Sequence, residues 1–233
     1  MSENLIRRVF TSLILLSILF VCLTLNKYFW LLLIISVSFI CFYEFNNLAK
    51  NIWKRKKINI FISNIISLIF LLFLIFSSYE LYISGTKTDI IIILLICIFS
   101  DIGGYVVGKL IGGRKLTKIS PNKTISGSIG SFLFSLLPPG IFLILYEITK
   151  LDYFNLSSTP YYENSIIILC LLLSLICQIG DLLISYFKRM AKVKDTGKIL
   201  PGHGGILDRI DGIIFAIPAI YYLNINFSII WWF

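Results

Sequence analysis

Asp181 follows an apolar run from Ile166 to Cys177 and is followed by Leu182, Leu183 and Ile184. A carboxylate at that depth costs on the order of 3 kcal/mol on insertion scales, so an acid retained there is a functional candidate by default. The competing account is a structural ion pair with a Lys or Arg from a neighbouring loop. Asp101 closes the run from Ile90 to Ser100, nearer an interface where water can reach it. Asp208 and Asp211 are spaced i, i+3 at the start of a later apolar stretch, which puts both carboxylates on one face if the helix has begun by then. With Asp181 they form an oxygen-rich set suited to a hard divalent cation. Mg²⁺ is the natural candidate, because one or two carboxylates plus substrate phosphates usually hold it. A plain charge pair favoured by the dipole at a helix N-terminus is the alternative for Asp208 and Asp211.

A second polar segment starts at Asp101-Ile-Gly-Gly-Tyr and continues through Gly108, Lys109, Gly112, Gly113, Arg114 and Lys115 to Ser120-Pro-Asn-Lys123-Thr124. Gly104, Gly108 and Gly112 recur every four residues, which either lets another helix approach closely or brings backbone N–H groups up to phosphate oxygens. The P-loop pattern is absent. Ser120, Lys123 and Thr124, with Gly127 and Gly130 after them, nevertheless resemble the anion-binding start of a helix. His203, the only histidine, stands in Pro201-Gly-His-Gly-Gly205. With no Cys or second His nearby a zinc site is implausible, and contact with a ligand competes evenly with a plain hydrogen-bonded or solvated role. The five cysteines all lie in apolar stretches without a CxxC pair and read as small buried hydrophobes. Pro138 and Pro139 should kink or break whatever helix contains them.

The elements that must carry these groups follow from composition. Of 233 residues 58% are hydrophobic and 14% charged, and the mean hydropathy is +0.90. A water-soluble domain, a disordered chain and a disulfide-stapled scaffold are all excluded by those proportions. An all-α, polytopic membrane protein remains. About seven apolar stretches approach the roughly 20 residues needed to cross a bilayer as a helix, near 9–25, 28–44, 58–78, 89–108, 125–146, 165–187 and 207–223. The first is read as a retained span, since no small-residue cleavage site follows it. No repeat or linker divides the chain, so one domain over 1–233 is expected, with N-terminal spans to residue 90 and catalytic spans and loops over 91–233. With the N-terminus cytoplasmic, 18 of the 21 basic residues fall on the cytoplasmic side and only Lys27, Lys87 and Lys150 on the other, as positive loops require. The net charge of +9 then belongs to one membrane face, where it attracts anionic lipid head groups and phosphorylated solutes. Nucleic acid is a poor partner, because the basic loops are short and lie at the bilayer surface.

The segment from Ser185 to Asp211 reads Ser185-x-x-Lys188-Arg189, then Lys194-Asp195-x-Gly197 and Pro201-x-His203-Gly204-Gly205-x-x-Asp208-Arg209-x-Asp211. It closely resembles the diagnostic motif of the phosphatidate cytidylyltransferases, the CDP-diacylglycerol synthases, without a mismatch. Gly180-Asp181-Leu182 and the Asp101 to Gly130 region with its Ser-Pro-x-Lys-Thr are similar to the family pattern too, so the resemblance covers about residues 97 to 218. It departs at Ile125 and Ser126, where the family commonly has Trp and an acid, and at Ile184, where it often has Glu. The resemblance implies transfer of CMP from CTP to phosphatidate, giving CDP-diacylglycerol and pyrophosphate for phospholipid biosynthesis at the cytoplasmic face of a bacterial inner membrane. It implies Mg²⁺, with a second cation left open, held by Asp181 and Asp208 with Asp211 as a close third. Lys188, Arg189, Lys194 and Arg209 would neutralise the triphosphate or phosphatidate. Ser120, Lys123 and Thr124 would bind phosphate, and His203 would orient a phosphate or the leaving group. Gly204 and Gly205 would admit substrate, and Asp101 and Asp195 are site candidates of lower rank. A homodimer sharing an apolar interface is supported by the resemblance alone.

Three other readings fit less well. A transporter should place its site near the midplane, often between inverted repeats, whereas the polar clusters here gather at one surface. A CDP-alcohol phosphatidyltransferase also binds metal with aspartates, but its motif is missing and the spacing of Asp208 and Asp211 is too short. A non-catalytic scaffold leaves Asp181 unexplained.

Overall fold

Long apolar segments in which Leu, Ile and Phe alternate with little regard to face satisfy their backbone polar groups most simply as helices, and this is what the computed structural model contains. It describes residues 3–54, 56–85, 87–149, 161–202 and 204–227. These hold α1 (Glu3–Leu25), α2 (Lys27–Trp53), α3 (Lys57–Ser84), α4 (Lys87–Ile111), α5 (Ile125–Ser135), α6 (Leu137–Thr149), α7 (Tyr161–Ala191) and α8 (Ile213–Phe227). The pairs Lys115–Thr124 and Leu200–Gly204 form isolated bridges within loops. At 1.5 Å per residue a helix of 25 residues such as α4 exceeds the roughly 30 Å hydrocarbon core.

Five segments are long and apolar enough to cross a membrane: Lys27–Trp53, Lys57–Ser84, Lys87–Ile111, Ile125–Phe142 and Ile166–Ala191. The protein is therefore embedded in a membrane through at least several helices. Phe10–Leu25 and Ile213–Leu223 are apolar but shorter, so five of the seven expected spans meet the length criterion. The fifth expected span is two helices. Leu136 ends α5, and Pro138 and Pro139 fall in the first turn of α6, where a missing N–H costs nothing because that donor has no intrahelical acceptor. The seventh begins at Ile213 instead of residue 207. Asp208 and Asp211 therefore lie in turns before the helix, and the expectation that one helical face carries both does not hold.

The chain packs as two compact units, one drawn from Met1–Ile83 and Leu183–Asp211 and the other from Ser84–Leu182 and Gly212–Phe233. In the first, the Trp30 indole N–H donates to the Ser78 carbonyl and hydroxyl at 3.3 and 3.1 Å, and its ring stacks on Tyr82 with centroids 6.0 Å apart. Tyr82 donates to the Leu23 carbonyl at 3.1 Å, and Asn64 to Asn46 at 3.0 Å. Trp30 is buried, so its one donor needs the acceptor that Ser78 supplies.

In the second unit, α4 and α5 meet through glycine. A Cβ on Gly104 would strike Ser131, one on Gly127 the Gly104 carbonyl, and one on Gly130 the side chain of Val107. Of the two readings of the glycine repeat, close helix approach is the one realised at Gly104 and Gly108. Gly112 instead terminates α4 at φ +65, the left-handed position that favours glycine after a helix. Ser100 and Ser174 are fully buried and hydrogen-bonded to each other at 2.8 Å; Gln178 donates to Ser174 and accepts from Ser128. Cys41, Cys97, Cys170 and Cys177 are buried and all five cysteines are free thiols, in keeping with a packing role.

Candidate active site

Within the first unit, the signature segment leaves α7 at Lys192, whose φ of 57 reverses the chain while Val193 N–H reaches back to the Lys188 carbonyl at 3.0 Å. The loop that follows is organised around Asp208. Its Oδ1 accepts from Lys188 Nζ at 2.7 Å. Its Oδ2 accepts from Thr196 N–H at 2.7 Å, Thr196 Oγ1 at 3.0 Å and Gly205 N–H at 3.1 Å. Burial by itself would raise the Asp208 pKa, but the Lys188 hydrogen bond and charge and the Thr196 and Gly205 amides outweigh it, so the carboxyl titrates below its ordinary value. Leu200 and Gly204 exchange hydrogen bonds of 2.9 and 3.2 Å, closing the turn at Pro201. His203 lies outside the described residues. Gly204 holds φ +88, and a Cβ there would sit 3.1 Å from both Asp195 Cβ and Asp208 Oδ2, so glycine leaves the space beside these two acids open. Lys194, Asp195 and Arg209 are exposed, as is Arg189 at the end of α7, and Asp211 is half-buried.

One member of this cluster was not anticipated. Glu44 of α2 is buried and accepts from Thr196 Oγ1, Ile206 N–H and Leu207 N–H at 2.8, 3.0 and 2.9 Å. The signal was available: the rule that selects Asp181, an acid within an apolar helix, applies equally to a Glu preceded by the run from Leu31 to Tyr43. Being placed at the end of a span, it reads as interfacial.

Within the second unit, Asp181 forms an ion pair with Lys123, the two side chains 28% and 26% exposed. Asp101 lies within electrostatic reach of both. The competing account of Asp181, a pair with a loop lysine, is thus realised, yet both groups remain open to solvent. Thr124 is the N-cap of α5, its hydroxyl accepting from Gly127 N–H at 3.1 Å. Ser126 donates to the Gly112 carbonyl and lies 3.0 Å from Thr124 Oγ1. Donation to a carbonyl is something an ionised acid at that position could not do. Ser120 accepts from Lys123 N–H through its carbonyl at 3.1 Å, closing the turn that presents Lys123. Ile184 is buried and Ile125 exposed.

Among the described residues, no group of three or more His, Cys, Asp or Glu side chains gathers as a metal cluster. The donors present still fit Mg²⁺, which takes one or two carboxylates and completes its shell with water and phosphate oxygens. Asp181 beside Asp101 supplies two such groups, and among the described residues Asp208 Oδ1 accepts one hydrogen bond, from Lys188.

A cytidylyltransferase family model matches residues 65–227. The chain belongs to the phosphatidate cytidylyltransferase family. Relatives named phosphatidate cytidylyltransferase include that of Staphylococcus haemolyticus, 40% identical over 151 residues, covering 63% of this chain and 54% of the relative. That of Bacillus subtilis is 42% identical over 130 residues, 55% of this chain and 44% of the relative, and that of Synechocystis 40% over 131 residues, 54% and 40%. The chain spans about half the length of the curated relatives it matches or less. The family match contains the signature loop, the Ser120–Thr124 turn, Asp101 and Asp181, whereas Glu44 lies outside it.

Proposed function

We propose that the chain transfers CMP from CTP to phosphatidate, forming CDP-diacylglycerol and pyrophosphate at the cytoplasmic face of a bacterial inner membrane. The observation that carries this reading is the family match over residues 65–227, which includes both polar segments. The proposal extends to a seven-span chain with a cytoplasmic N-terminus, a single catalytic domain over 1–233, and a homodimer.

The chemistry asks for little proton transfer. The nucleophile is a phosphate monoester oxygen, whose second pKa near 6 leaves it ionised at neutral pH. The barrier lies in bringing two anions together and stabilising charge on the α-phosphate and the departing pyrophosphate, which is positioning and electrostatics. Bound Mg²⁺ would supply that charge stabilisation as a Lewis acid. Asp181, Asp208 and Asp211 are the proposed ligands, with Asp101 and Asp195 as supporting acids. Lys123, with Ser120 and the Thr124 turn, would take phosphate oxygens. Lys188, Arg189, Lys194 and Arg209 would neutralise the polyphosphate, His203 would orient it, and Gly204 and Gly205 would let it approach the backbone.

The test is purified protein in mixed micelles of phosphatidate and detergent, given labelled CTP with Mg²⁺ supplied or chelated, followed by separation of lipids. Label in a CDP-lipid only when Mg²⁺ is supplied is the expected result. No labelled lipid from folded protein supplied with Mg²⁺ would overturn the assignment.

A further inference from the structure

Glu44 sits in the apolar helix α2, about 150 residues in sequence from the groups it binds, and is 1% exposed. Both of its oxygens are engaged: Oε1 accepts from Ile206 N–H, and Oε2 from Leu207 N–H and Thr196 Oγ1. The loop is shaped to admit this carboxylate. A Cβ on Gly197 or Gly205 would collide with Glu44 atoms, so only glycine at those two positions allows its approach. The next residue in the chain after the two bonded amides is Asp208, and the Thr196 hydroxyl that donates to Glu44 also lies 3.0 Å from Asp208 Oδ2. A hydroxyl has one proton, so with the hydroxyl given to Glu44 at 2.8 Å it is the Thr196 N–H, 2.7 Å from Asp208 Oδ2, that holds the second carboxylate, and Thr196 links the two acids through its two donors.

We infer that Glu44 is a positioning residue for Asp208, fixing the 196–207 loop through the Ile206 and Leu207 amides and aiming the Asp208 carboxylate through Thr196. Glu44 touches no reacting atom in this arrangement. It acts by holding the loop in one conformation, as outer groups around metal-binding side chains do, where their loss typically weakens metal affinity or activity 10–100-fold. The inference rests on the proposed cytidylyltransferase reading for its kinetic consequence, but the structural consequence stands independently.

The test uses the full chain in detergent micelles and the variants Glu44→Gln, which keeps the shape but turns one acceptor into a donor, Thr196→Val and Thr196→Ser. Three quantities are read: the thermal midpoint, amide exchange of peptides covering 194–211 against those of α2 and α3, and the Mg²⁺ concentration giving half-maximal CDP-lipid formation. Glu44→Gln and Thr196→Val should each speed exchange in 194–211 while leaving the two helices protected, and each should raise the half-saturating Mg²⁺ roughly tenfold. Thr196→Ser should behave as the unaltered protein, and combining Glu44→Gln with Thr196→Val should be less than additive, as for one coupled unit. Unchanged exchange and unchanged Mg²⁺ dependence in Glu44→Gln would overturn the inference. So would loss of protection throughout α2 and α3 together with normal behaviour of Thr196→Val, which would make Glu44 a general packing element. If Glu44→Gln does not fold, Thr196→Val decides by the same two readouts. If the unaltered chain forms no CDP-lipid, the proposed function fails, while the exchange readout still tests the positioning role.

Discussion

Replacing Asp208 by Asn removes one charge from a pair that is nearly enclosed, the Lys188 and Asp208 side chains being 16% and 5% exposed. An exposed pair would be worth at most about 1 kcal/mol, but at this burial the uncompensated ammonium decides the outcome, and breaking such a pair by removing one partner costs about 3–5 kcal/mol. The amide oxygen can still accept from Thr196 and Gly205, so the loss is confined to the Oδ1 side, where an amide NH₂ would face the Lys188 ammonium. For a chain of this size about 3 kcal/mol lowers the thermal midpoint by roughly 6–12 °C. The double variant Lys188→Gln with Asp208→Asn restores a donor opposite an acceptor without charge and should recover most of that fall in a micellar melting assay. Activity should stay absent in the double variant, because the proposed cation ligand is still gone. The pH dependence follows from the depressed pKa of Asp208. Its stabilising contribution is fully present above the unfolded carboxylate value, about 3.9, and is lost as pH falls through the lower folded value. The gap in midpoint between the unaltered protein and the double variant should therefore be constant near neutrality and shrink only below about pH 4. A drop under about 2 °C for Asp208→Asn, which by the same scaling is a surface-pair effect, or a double variant no better than the single, would refute this reasoning.

Gly205→Ala should lower the melting temperature by an amount equivalent to at least about 2 kcal/mol, because its Cβ would overlap Thr196 and Glu44; a normal melting temperature would contradict the packing. Gly112→Ala, with open space around it but φ +65, should cost only the backbone strain of about 1 kcal/mol, and the two melts side by side separate collision from strain. Gly127→Leu should force α5 away from α4, with protease sensitivity rising in the 112–124 loop. Asp181→Asn, freed of the charge that binds Lys123, should melt close to normally and lose at least about a hundredfold in CDP-lipid formation; full activity would remove Asp181 from the site.

Amino-acid order alone determined the membrane-embedded, helical character of the chain, since long apolar segments can satisfy their backbone only as helices where water is absent. It also determined the family, through the fixed spacing of polar residues from Ser185 to Asp211, and a helix break beside Pro138 and Pro139, which falls at Leu136 just ahead of them. Local chemistry sufficed for each of these. Tertiary structure decided the rest. Whether Asp208 starts a helix or anchors a loop depends on donors at Thr196, Gly205 and Lys188, and Thr196 and Lys188 lie 12 and 20 residues from it in the chain. Whether Gly104 serves a helix or a phosphate depends on Ser131 and Gly127 lying opposite it. The part played by Glu44 is the clearest case. Its partners lie 152 to 163 residues away in the chain, and a carboxylate in an apolar helix states only that it needs donors, while the fold alone brings them to it.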